Sequence, residues 1–221
     1  MANWCYTTYV IEGTEKEIGV LYDVIEDGLI RGCSKKQQLN HILWENERCV
    51  NYLFRYLKVK NCIDDRGFIQ NIRHLENGEQ SLICMNGYCA WDAITDAWVE
   101  IVGRYAPSAK FYYWGEEMHA DGCYTNDTKK KYFPADFIVW GNPEAPFGKI
   151  LYKGTAPRTN EDQYGDCFGY WTLPELKPVL REILKQPRAH MDELLEICRR
   201  KLPKVNIDKV NRKLLDEYGR R

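Results

Sequence analysis

The sequence predicts an α+β protein, and three observations carry that prediction. Aromatic and β-branched residues crowd Trp4 to Ile11, as they do in strands. Apolar residues recur at helical spacing in several later segments, among them Ile94 to Tyr105. That last segment lies between Tyr88-Cys89-Ala90-Trp91-Asp92 and the aromatic run Phe111 to Trp114, giving an order of strand end, helix, tight turn and strand. Asp92 is placed to cap the helix, Pro107 to stop it, and Lys110 to Trp114 to form the following strand.

The elements follow in order. Trp4 to Ile11 is the first strand and Gly13 ends it. Thr14 and Glu17 form a capping box for a helix with Ile18, Leu21, Tyr22, Ile25 and Leu29 on one face, fraying at Gly28 and Gly32. A helical region from Lys35 to Leu57 comes next, with a break near Asn46. Phe68 to His74 and Ser81 to Met85 read as strands between turns at Asp64 to Gly67 and Glu76 to Gly78. Beyond Trp114, Gly115 to Cys123 continues as an irregular strand or hairpin, and Tyr124 to Asp127 with three lysines forms a loop. Phe137 to Trp140 is a strand, Lys149 to Lys153 a further candidate, and Thr155 to Gly169 a long polar loop. Thr172 and Glu175 make a second capping box for a helix carrying Leu176, Val179, Leu180, Ile183 and Leu184, ended by Pro187. Helices over Met191 to Arg200 and Ile207 to Tyr218 complete the chain.

At 221 residues the chain fits one large domain or one domain with an appendage, and 44% hydrophobic residues suffice for a core. No apolar run approaches the ~18 residues of a membrane span, so no membrane role is expected. Met1 to Cys5 lacks the regions of a signal peptide. Nine cysteines without a Cys-x-x-Cys pair speak against the commonest zinc and thioredoxin-like spacings and fit reduced thiols in a cytoplasm. The net charge of −1 argues against a general polyanion binder. It is unevenly spread: Arg199 to Arg221 holds nine Lys/Arg against Asp208, Asp216 and Glu217, a net +6, which leaves −7 for the rest.

The opening Asn3-Trp4-Cys5 strand, Glu12-Gly13 before a capped helix, Ala90-Trp91-Asp92, Tyr105-Ala106-Pro107 and Phe111 to Glu117 together resemble the YubB-like family of uncharacterised bacterial, plasmid and phage proteins. The resemblance covers the first strand and helix and then Ser81 to Asp127. It implies a ferredoxin-like, split βαβ fold: an antiparallel sheet with helices on one face. Here that domain would occupy 1–171, with a helical insertion near 35–57 and a mostly helical extension over 172–221. The family brings no catalytic residues to transfer.

Glu116, Glu117, His119 and Asp121, with Trp114 as a wall, form the candidate binding set, chosen for local polarity beside an aromatic strand. On an extended strand Glu117, His119, Asp121 and Cys123 would share a face, and such a set suits zinc. A polar hairpin is the preferred reading, and neither metal nor cofactor is expected. Cysteine catalysis would rest on Cys123 with His119, while Cys5, Cys84 and Cys89 read as small buried hydrophobes. Trp4, Tyr6, Tyr88, Trp91, Tyr112 and Trp114 could stack bases on an open sheet. Because phosphate contacts dominate nucleic-acid affinity, the acidic body favours burial of these rings between helix and sheet. The expectation is a cytoplasmic, non-catalytic protein-binding or accessory module, its mobile-element context implied by the resemblance alone. Nucleic-acid binding through the sheet aromatics and basic tail is the alternative, followed by a metal-dependent enzyme centred on His119.

Overall fold

A computed structural model describes residues 4–31, 48–60, 66–77, 80–90, 93–117, 122–141, 160–161, 167–202 and 205–212. The chain is a mixed α+β protein whose contacts divide it into two units, Met1–Thr128 with Arg212–Arg221, and Lys129–Asn211. No helix among the described residues is long and apolar enough to cross a membrane.

The first unit opens with β1 (Trp4–Gly13) and α1 (Glu15–Arg31). Thr14 starts the helix as its sequence suggests: its Oγ accepts the Glu17 N–H at 3.4 Å and donates to the Glu17 carboxylate at 3.1 Å. That carboxylate also accepts the Ser108 N–H at 3.2 Å and the Ser108 hydroxyl, joining the first helix to the turn before a distant strand. Gly28 does not mark a fraying end. The helix runs on to Arg31, and a Cβ at Gly28 would stand 2.4 Å from Leu53. Glycine there lets two helices approach closely.

The expected helix over 35–57 is shorter where it is described. Arg48–Cys49 is strand β2, and α2 covers Val50–Tyr56, burying Val50, Leu53 and Phe54; residues 35–47 lie outside the described residues. Strands β3 (Gly67–Asn77) and β4 (Gln80–Ala90) are longer than their sequence suggests. β4 continues through Gly87, where a Cβ would fall 1.8 Å from the Phe68 carbonyl oxygen. A glycine at position 87 is therefore required by a close backbone approach beside a bulge between Ile69 and Asn71.

Helix α3 (Thr95–Tyr105) precedes β5 (Lys110–Glu117), which forms a hairpin with β6 (Gly122–Thr125). Tyr124 and Thr125, expected in a loop, thus belong to a strand. Asp92 lies outside the described residues, and the cap position of α3 is Ile94, in the left-handed region at φ 45°. With β11 (Asn211–Arg212) at one edge, the strand order is β11-β6-β5-β1-β4-β3-β2. Cys5, Tyr9 and Ile11 of β1, Ile83 and Met85 of β4, and Phe111 and Tyr113 of β5 share one core with Ile18, Leu21, Ile25, Leu53, Trp98 and Ile101 of the helices.

The second unit has a four-stranded antiparallel sheet of β7 (Phe137–Gly141), β8 (Asn160–Glu161), β9 (Cys167–Trp171) and β10 (Val205–Lys209), in the order β10-β7-β9-β8. Strand residues at 160–161 and 167–169 replace part of the expected polar loop; the candidate strand at 149–153 lies outside the described residues. Helix α4 (Leu173–Ile183) has the expected box: the Thr172 N–H and hydroxyl donate to Glu175 at 2.9 and 2.6 Å. Helix α5 spans Met191–Lys201. The segment from 172 is not uniformly helical, because β10 stands where a third helix was expected to begin. Val205 and Ile207 alternate with outward residues, and β10 pairs antiparallel with β7, so strand pairing overrides the helical reading from Ile207 to Arg212. Residues 213–221 lie outside the described residues.

A candidate binding face on the first sheet

Register decides which side chains share a face, because alternate residues of a strand point to opposite sides. Cys5, Thr7, Tyr9 and Ile11 point to the core, so Trp4, Tyr6, Thr8, Val10 and Glu12 point to the other face. Tyr6 lies opposite Tyr88 of β4 and opposite Glu116 of β5; Tyr88 lies opposite Phe68 of β3, and Glu116 opposite Cys123 of β6. One row therefore crosses five strands as Phe68, Tyr88, Tyr6, Glu116 and Cys123.

The aromatic half of this row is open. Trp4 is 48% exposed and Tyr88 36%, while Tyr6 and Phe68 are half-buried. Opposite Trp4 stands small Ala90, and the indole meets Phe68 with ring centroids 5.7 Å apart. Tyr6 and Tyr88 meet edge to face at 5.4 Å, and the Asn86 amide donates to the Tyr6 hydroxyl at 3.1 Å. Mutual contact holds the rings in place, so a ligand need not order them.

The other half is closed. Trp114, expected as a wall, is only 5% exposed, and Glu116 at 4% and Glu117 at 5% are not the surface residues the sequence suggests. The Trp114 Nε1–H donates to Glu116 Oε1 at 2.5 Å, a bond that suits a buried carboxylate. His119 and Asp121 lie outside the described residues. The proposed shared face of Glu117 and Cys123 is corrected by the hairpin: Glu117 pairs with Gly122, whereas Cys123 pairs with Glu116 and shares its face instead. No metal-holding group of His, Cys, Asp and Glu occurs among the described residues.

The aromatics divide between the two faces. Trp98, Tyr9 and Tyr113, outside the set expected to be buried, are fully buried in the core. Trp4, Tyr6, Tyr88, Tyr112 and Trp114, the rings expected between helix and sheet, all point away from the helices, and Trp91 lies outside the described residues. Phe68, absent from the candidate set, belongs to the open face. The sequence places it at the start of a strand, but only pairing with β4 brings it to Tyr88.

On the core side, thiols and hydroxyls form a buried polar cluster. Cys5 Sγ lies 3.3 Å from the Tyr124 hydroxyl and Cys89 Sγ 3.4 Å from the Tyr9 hydroxyl. The Tyr9 hydroxyl donates to the Ala93 carbonyl at 2.5 Å, while the Ala93 N–H donates to the Tyr124 hydroxyl at 3.2 Å. Two phenols thus grip both backbone groups of the residue before Ile94 and its left-handed turn. Burial raises the Tyr9 pKa well above its ordinary value, with the neighbouring Cys89 adding to the rise. Burial likewise raises the Cys84 thiol and pushes Cys198 up to about 11. Such thiols stay protonated near neutrality and suit packing rather than nucleophilic attack.

No known protein family matches the chain, and no curated protein does. Solved structures similar to it include one described as "putative glycine cleavage system transcriptional repressor", at 9% identity over 93% of this chain and 98% of that one, with a TM-score of 0.28. Another is an unknown protein from Galdieria sulphuraria, at 8% identity over 93% of this chain and 96% of that one, with a TM-score of 0.29. Likeness at this level passes no property to the present chain.

Proposed function

We propose that the chain is a non-catalytic protein-binding module whose working surface is the open sheet face around Trp4, Tyr6, Phe68 and Tyr88. The observation that carries this reading is the exposure of Trp4 and Tyr88 within a contiguous set of rings on a strand-supported surface. Exposed aromatic clusters serve as anchors for partners, because large rings bury much area at small entropic cost. The first unit is read as ferredoxin-like. Support comes from the chain order β1-α1-β3-β4-α3-β5, with β2 and α2 inserted between α1 and β3, and the spatial order β5-β1-β4-β3, with every neighbouring pair antiparallel. Membership of the YubB-like family and an accessory role in a mobile element belong to the same proposal and rest on the sequence resemblance. A cytoplasmic setting accords with the cysteine usage.

Nucleic acid is the second reading, favoured by the stacking-competent rings and opposed by the charge of the surrounding chain. Quantitative recovery of bound proteins from the native host, with wild type beside a Trp4→Ala/Tyr88→Ala variant, tests the proposal. A protein held by wild type and lost from the variant supports it, and equal recovery by both overturns it. Rings that retain nuclease-sensitive material, with affinity falling steeply as salt rises, would shift the conclusion to the second reading.

A further inference from the structure

We infer that the open sheet face takes an acidic peptide; this rests on the binding-module reading above. The peptide lies extended, with an apolar side chain on Trp4 and Tyr88 and a carboxylate at each of Arg66 and Arg73. Among the described residues, the exposed charges that register places on this face are all positive. Arg66, whose carbonyl accepts the Ala90 N–H at 3.0 Å, stands in the row of Trp4. Arg73 lies opposite Cys84 and Lys110 opposite Glu12, and both are exposed. The carboxylates described on the same face, Glu12 and Glu116, are each only 4% exposed. Acidity gathers instead on α1, which carries Glu15, Glu17, Asp23, Glu26 and Asp27 on the core side of the sheet. Charges act over a Debye length, ~8 Å in physiological salt, so a short ligand on the sheet responds to the arginines before it responds to that helix.

The open half of the sheet also sets a spacing. Its rows on β4 are Ala90, Tyr88, Asn86 and Cys84, beside Arg66, Phe68, Asn71 and Arg73. Arg66 thus stands two residues, ~7 Å, to one side of the ring row, and Arg73 stands four residues of β4, ~13 Å, to the other. An extended peptide repeats at the same rise. An apolar residue over Trp4 and Tyr88 therefore brings residues two and four places away over the arginines, all on one side of the peptide. Between them, the Asn71 and Asn86 amides offer hydrogen bonds. A nucleic acid matches less well, because it carries a phosphate at every nucleotide and those between the arginines would lie over rings and amides. The first unit as a whole also repels a long polyanion: residues 1–128 hold twelve Lys/Arg against nineteen Asp/Glu, a net of −7. Ring contacts and the Asn86 bond hold the site in shape beforehand, which limits the ordering cost of binding.

The test uses the whole chain and fluorescence anisotropy, with labelled probes taken up to millimolar concentration. The probes are the peptide Glu-Gly-Leu-Gly-Ser-Gly-Glu, the same peptide with Gln or Arg in place of Glu, and a single-stranded oligonucleotide. The Glu peptide is expected to bind best, about fivefold more tightly than the Gln peptide, with the gap closing as salt rises. Arg73→Glu should remove that preference and Arg73→Lys should keep most of it. Trp4→Ala and Tyr88→Ala should weaken the Glu and Gln peptides alike. Absence of the Glu preference in wild type, or its survival in Arg73→Glu, would overturn the inference. Binding undiminished in both alanine variants would do the same, because attraction would then be general rather than seated on the rings. Ring-dependent preference for the Arg peptide or the oligonucleotide would overturn the acidic assignment while leaving the sheet face as the working surface. If no probe binds wild type, the acidic assignment also falls, and native-partner recovery with the Trp4→Ala/Tyr88→Ala variant decides separately whether the face binds protein.

Discussion

The ring of Tyr124 lies against Gly115: a Cβ built on that glycine would stand 2.5 Å from the ring and 2.8 Å from its hydroxyl oxygen. The two residues are paired across the β5–β6 hairpin, and this close seat carries the Tyr124 hydroxyl to Cys5 and to the Ala93 N–H. Gly115→Ala should therefore displace the ring and disturb the grip on Ala93. The expected loss of stability is about 1–3 kcal/mol, the usual cost of overpacking a filled core. Urea denaturation of the single variant, and of Gly115→Ala with Tyr124→Leu, checks it. The second change should recover part of the loss if the ring is the obstacle.

Tyr9 holds the other side of Ala93. Tyr9→Phe leaves the Ala93 carbonyl without this donor in a buried setting and should cost about 1–3 kcal/mol. The folded-state pKa of Tyr9 is raised, so its contribution is fully present below the ordinary tyrosine value and declines as pH rises through the folded value. Wild type should consequently lose stability in alkali more steeply than Tyr9→Phe. Parallel denaturation curves from neutral to alkaline pH measure the difference, and identical slopes would refute the assignment.

Glu17 gives the opposite sign. Its hydrogen bonds to Ser108, then to Thr14, hold its carboxyl below the ordinary value. The associated stability is present above the unfolded pKa and disappears as pH falls through the folded one. Glu17→Gln should have a lower urea midpoint than wild type at neutral pH, with the gap narrowing in acid. Because the carboxylate is solvent-exposed, added salt should reduce the gap as well.

Strand β10 is tested by neighbouring substitutions. Ile207 belongs to the core of the second unit and Asn206 is exposed. Ile207→Ala should cost about 2–4 kcal/mol, whereas Asn206→Ala should stay within about 0.5 kcal/mol. Thermal denaturation of the two variants checks the alternation. Equal, small effects at both positions would argue against the strand.

Much of the fold was legible because its signals are local. Thr14 with Glu17 and Thr172 with Glu175 announce helix starts within four residues, and Trp4 to Ile11 announces a strand by its side chains. The extent of β4 was less legible, since only the Phe68 backbone beside Gly87 shows why a glycine belongs within the strand. For the same reason β10 was hidden: its partner β7 is more than sixty residues away in sequence, and helical spacing nearby competes with the strand pattern.

The sequence by itself determined the α+β class, the two capping boxes and the central strand, helix, strand order, all of which depend on residues near one another along the chain. Tertiary structure alone decided which aromatics face water. Tyr6 acquires Tyr88, Phe68 and Glu116 as neighbours through strand pairing across the sheet, and a register shift of one residue would send each ring to the opposite face. Burial of Trp114 and Glu116 was decided at the same level, because a side chain's exposure depends on what the folded chain brings over it.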